Sequence, residues 1–98
     1  MIKKYIRTNN FNLRKIANDA FLFPIGDMAD HVQGVIVLNE LSQYIWELLE
    51  DPKTFNEIVD DITTNYDVSS EKAQLDLNNL LSLFEQNGVI QIISFEKC

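Results

Sequence analysis

Val35-Ile36-Val37-Leu38-Asn39-Glu40-Leu41-Ser42-Gln43-Tyr44-Ile45-Trp46-Glu47-Leu48-Leu49 carries a short apolar strand through a polar cap into an amphipathic helix, with no linker between them. Val35, Ile36 and Val37 are β-branched and favour a pleated surface. Asn39 suits the N-cap, because its side-chain oxygen accepts an otherwise unpaired backbone N–H. Leu41, Tyr44, Ile45, Leu48 and Leu49 then fall at i, i+3, i+4, i+7 and i+8, one apolar stripe. Trp46 lies off that stripe, so this helix is expected to be covered on two sides. Asp51-Pro52 ends it, since the residue before a proline is pushed out of helical backbone.

Downstream, Thr54 and Glu57 have the spacing of a capping box, with Phe55, Ile58, Val59, Ile62 and Tyr66 as the buried face of a second helix. A third helix is expected from Ser69 or Ser70, with Glu71 complementing its dipole. Its core stripe is Ala73, Leu77, Leu80, Leu81 and Phe84. Asn87-Gly88 ends it, because glycine adopts left-handed backbone cheaply. Val89 to Ile93 reads as a terminal strand. Upstream, Phe11–Ala17 and Ala20–Pro24 read as strands around an Asn18-Asp19 turn. Residues 1–10 are basic and polar and read as a flexible or edge segment. Gly26–Gln33 is a polar loop.

Ninety-eight residues, 46% of them apolar, make a single domain over 1–98. The formal charge of −7 is uneven. Residues 1–39 carry five basic and three acidic side chains and residues 40–98 three and twelve, giving halves of +2 and −9. An acidic helical half repels phosphate, which argues against nucleic acid and anionic membranes. Cys98 is the one cysteine, so neither a disulfide framework nor a metal quartet is expected, and a reducing cytoplasm is the simplest setting. No signal peptide or membrane-spanning apolar run is visible.

Residues for catalysis are scarce, and no catalytic residue, metal or cofactor is expected. His31 stands in the loop beside Asp27 and Asp30, but one imidazole without a second anchored ligand points to a solvated loop. Glu50-Asp51 and Asp60-Asp61 are adjacent pairs, which on a helix do not face one another. Asp67-Val68-Ser69 faintly resembles the phosphopantetheine site of carrier proteins, yet a helix N-cap accounts better for Ser69.

The order Leu38-Asn39-Glu40, Ile45-Trp46-Glu47-Leu48-Leu49, Thr54-Phe55-Asn56-Glu57-Ile58-Val59, Tyr66-Asp67-Val68, Asp76-Leu77, Leu80-Leu81 and Asn87-Gly88-Val89-Ile90 resembles the PqqD-like peptide chaperones, also called RiPP precursor recognition elements. The resemblance implies an α+β, winged-helix-like fold. A three-stranded antiparallel sheet would be followed by a three-helix bundle and a short terminal strand. It implies a non-catalytic adaptor that holds the leader of a ribosomally made precursor peptide and presents it to a modifying enzyme, often a radical-SAM protein. Members serving pyrroloquinoline quinone usually have an arginine-rich opening and a Cys-Asp-Gly-type turn after the first helix. Leu49-Glu50-Asp51-Pro52-Lys53 departs from that and points to another peptide.

By the same resemblance the binding groove lies between Val35-Ile36-Val37-Leu38 and the third helix. Leu75, Asp76, Asn79 and Leu83 sit off that helix's core stripe, and two of the four are apolar without a core to fill. Strand addition of a peptide and dimer packing through the same edge both account for them. A winged-helix DNA-binding or protein-docking regulator is the rival reading. Against DNA, the third helix offers Lys72 alone beside Glu71, Asp76 and Glu85.

Overall fold

Local capping chemistry sets the three helices in the computed structural model, which describes residues 2–26 and 35–95. The loop reading of Asp27, Asp30 and His31 and the terminal Cys98 lie outside the described residues. Helix α1 (Glu40–Leu48) begins at Asn39, whose side chain accepts the Ser42 N–H at 2.8 Å while the Asn39 N–H donates to Ser42 Oγ at 2.9 Å. Helix α2 (Phe55–Asn65) begins with the Thr54–Glu57 box, in which the Thr54 N–H donates to the Glu57 carboxylate at 2.8 Å. Ser69 caps α3 (Ser70–Gln86), accepting the Lys72 N–H. Gly88, at φ +73°, closes α3 as a Schellman turn. The Val89 N–H reaches the Phe84 carbonyl at 2.8 Å and the Gly88 N–H the Glu85 carbonyl at 3.2 Å.

Two three-stranded antiparallel sheets accompany the helices. One holds β2 (Phe11–Ile16), β3 (Asp19–Pro24) and β4 (Ile36–Leu38), in that order. The other has the order β5-β1-β6, with β1 (Ile2–Arg7) between β5 (Lys53–Thr54) and β6 (Ile90–Phe95). Residues 2–7 are thus a central strand, where the sequence suggests a flexible or edge segment. The reason is tertiary: the terminal apolar strand supplies a six-residue partner from Ile2–Phe95 to Arg7–Ile90. Further bonds hold the strand's end. The Arg7 N–H donates to the Leu49 carbonyl at 2.9 Å, its guanidinium lies 4.1 Å from the Trp46 ring centroid, and Thr8 Oγ1 donates to the Gly88 carbonyl at 2.7 Å. Trp46, off the helical stripe, is buried under this contact.

The β2–β3 hairpin turns through Ala17 and Asn18, with Ala17 at φ +58°. A Cβ there costs roughly 1–2 kcal/mol, partly offset by the extra chain freedom a glycine adds to the unfolded state. Ala17→Gly is therefore expected to stabilise the domain by about 0.5–1 kcal/mol, raising Tm by a few degrees. Calorimetry checks the sign.

Leu22, Ile45, Leu49, Ile58, Ile62, Leu77, Phe84 and Val89 are fully buried, so both sheets and all three helices contribute to one core. Each such side chain contributes about 1.5–3 kcal/mol on burial. A polar bracket ties α1 to α2. The Tyr44 hydroxyl donates to Asp61 Oδ1 at 2.5 Å, Asn65 Nδ2 donates to the Tyr44 oxygen at 3.0 Å, and Tyr66 meets the Tyr44 ring edge-on. The bond to Asp61, reinforced by burial, pushes the Tyr44 hydroxyl up from 10.0 to about 12. The folded state thus favours the protonated phenol. That stabilisation is complete below pH 10 and is lost as pH rises through about 12. Tyr44→Phe is expected to be less stable at neutral pH but to lose less further stability between these limits, as urea titrations at stepped pH will show.

Candidate functional site

The direction of every main-chain group on β4 follows from one hydrogen bond. The Ile25 N–H donates to the Asn10 carbonyl at 2.8 Å, beside the Phe11–Pro24 pair. Phe11–Pro24 is therefore a pair without mutual hydrogen bonds, as suits a proline that has no N–H to give. Alternation along β3 sends the main-chain groups of Asp19, Phe21 and Phe23 toward β2 and those of Ala20 and Leu22 toward β4. Leu38 pairs with Ala20 and Ile36 with Leu22, so these two residues complete the ladder. Val37, opposite Phe21, turns its N–H and C=O away from the sheet, where no strand follows among the described residues.

This open edge ends sharply. The next outward residue is Asn39, whose N–H is taken by Ser42 Oγ and whose carbonyl accepts the Gln43 N–H at 3.0 Å. The helix cap thus consumes the groups that would extend the edge. The edge therefore has the Val37 N–H and C=O to offer and ends there.

Beside the edge runs a groove of about 690 Å³, lined by Asp19, Ile36, Val37, Leu38, Asn39, Leu41, Ser42, Asp76, Asn79, Leu80, Leu83 and Phe84. A volume of this size lies in the range of ligand pockets. Its floor is apolar, with Leu38 and Phe84 buried and Ile36, Leu41 and Leu80 partly so. Leu83 stands 48% exposed at the rim, and Val37, on the strand's other face, is 64% exposed. Six of the eight residues singled out in the sequence border this space: Ile36, Val37, Leu38, Asp76, Asn79 and Leu83. Val35 and Leu75 do not line it, though both are exposed. Leu75 falls outside for a geometric reason. Asp76, Asn79, Leu80 and Leu83 stand at i, i+3, i+4 and i+7 on one face of α3, and the residue before Asp76 is turned about 100° from it.

That same spacing was the signal for Leu80, which the core stripe had claimed. Leu41 and Ser42 enter because α1 starts directly after β4, and Asp19 because the antiparallel β3 brings its first residue beside the strand's end. No local pattern identifies Asp19.

The groove offers apolar walls, two outward main-chain bonding groups on Val37, the amides of Asn39 and Asn79, and the carboxylates of Asp19 and Asp76. Asp76 is bridged by Lys72 at 3.1 Å. Such a site can pair with an extended peptide and seat its alternate side chains. Among the described residues no group of three His, Cys, Asp or Glu side chains forms a metal site. Among them, too, no helix is long and apolar enough to cross a membrane.

Residues 25–90 match the model of the family described as coenzyme PQQ synthesis protein D (PqqD). The chain belongs to the PqqD family. The match spans β4 to the start of β6 and so includes the edge and all of the groove lining except Asp19, while β1, β2 and β3 precede it. The structure is also similar to that of TbiB1 in complex with the TbiA(beta) leader peptide, with a TM-score of 0.70 and 21% identity. The likeness covers 94% of this chain and 99% of that one, so it extends over most of the residues that precede the PqqD match. No curated protein matches the chain.

Proposed function

We propose that this protein is a non-catalytic adaptor that captures the leader of a ribosomally made precursor peptide as an added strand on β4 and presents it to a modifying enzyme, such as a radical-SAM protein. The observation that carries this is the outward N–H and C=O of Val37 at the mouth of an apolar groove. Main-chain bonds to a sheet edge supply affinity, and pockets for alternate side chains supply selectivity. Membership of the PqqD family and the likeness to a protein held with a leader peptide support the same reading. A cytoplasmic setting follows from the proposed partners, since precursors are made there.

The edge is short, so backbone bonds alone give modest affinity. At about 0.5–1.5 kcal/mol net for each bond, the few available must be supplemented by apolar contacts with Leu80, Leu83 and Leu41. The test is titration calorimetry with synthetic leader peptides, the TbiA(beta) leader among them, alongside an unrelated duplex DNA. Saturable peptide binding with no response to DNA is the expected result. Saturable, salt-sensitive binding to the duplex with none to the peptide would overturn the proposal in favour of a winged-helix regulator.

A further inference from the structure

We infer that the peptide accepted by this groove carries a basic side chain beside its apolar anchors, so that the groove selects by charge as well as by shape; the inference rests on the peptide-binding reading above. Among the described residues the lining contains two acidic residues, Asp19 and Asp76, and no lysine, arginine or histidine. The two acidic residues come from different elements, Asp19 from β3 and Asp76 from α3, and both border the groove. Apolar walls hold water back and strengthen the field of charges at the rim. An acidic side chain entering here meets like charge; a lysine or arginine meets a partner.

Lys72 does not cancel this. It stands one turn before Asp76, does not line the groove, and its bridge joins side chains that are 62% and 36% exposed. A pair of that kind is weak and exchanges readily with another cation.

The test is to pan a displayed library of random twelve-residue peptides against the parent domain, and to measure the enriched peptides on the parent, on Val37→Pro and on the double variant Asp19→Asn, Asp76→Asn. We expect enriched peptides to carry lysine or arginine at a fixed spacing from an apolar pair. Their affinity should fall about five- to tenfold on the double variant at low salt, and by less at high salt. Enriched peptides without basic residues, or an affinity unchanged on the double variant, would overturn the charge inference while leaving the groove in place. Peptides that bind Val37→Pro as tightly as the parent would overturn the groove reading and this inference with it, and so would a library from which nothing is enriched.

Discussion

Val37→Pro is expected to weaken peptide capture severely while leaving the domain folded. The proline removes the one N–H within β4 that points away from β3, and its ring stands where the added strand must approach. The ladder to β3 is untouched, because Ile36 and Leu38 make those bonds. Ile36 is already extended, as a residue before proline prefers. Loss of the bond together with the steric block should weaken binding on the order of 100-fold, about 3 kcal/mol. Ile36→Pro is the contrasting control. It removes a ladder donor and should destabilise the β2-β3-β4 sheet, so circular dichroism and thermal unfolding separate the two variants. A folded Val37→Pro variant that binds as the parent does would exclude the β4 edge as the site.

Leu83→Asp should weaken capture by a different route. Leu83 lies 48% exposed at the groove rim, so its apolar surface is available to a ligand and is not committed to the core. Losing one leucine-sized contact costs about 1.5–3 kcal/mol, or roughly 10- to 150-fold in Kd. Part of the effect of aspartate is general, because a new anion in the last turn of α3 opposes the helix dipole by a few tenths of a kcal/mol. Leu83→Gln removes the contact without the charge and should retain most of the loss. Thermal unfolding of both variants should lie within a few degrees of the parent. If both bind normally, the wall formed by α3 does not touch the peptide.

The helices and β4 were legible in the sequence because their signals are local. Asn39, Thr54 and Ser69 cap the three helices, and Asn87-Gly88 closes the third, by chemistry confined to a few neighbouring residues. The second sheet was not legible. Residues 2–7 have no clear alternation, and their place is set by pairing with a strand almost ninety residues later and with two residues at the start of α2. The groove was legible in outline. Exposed Val37 and Leu83 could be suspected from their spacing, and the face of α3 follows from helical periodicity once Asp76 is taken as its start. Leu75 does not line the groove, because an apolar residue off the core stripe can stand on either side of the helix. Asp19 and the sharp end of the edge at Asn39 depend on tertiary neighbours and on a cap that consumes two backbone groups.

The direction of Val37's main chain is the claim on which the account turns, and amide hydrogen exchange at β4, with and without the bound leader peptide, tests it most directly. In the free protein Val37 should exchange quickly, while Ile36 and Leu38, bonded to β3, are protected. Addition of saturating peptide should slow Val37 by on the order of tenfold or more, as expected for a donor that gains a bond, and should leave Ile36 and Leu38 close to their free rates. A peptide that binds tightly while Val37 continues to exchange at its free rate would contradict strand addition at this edge.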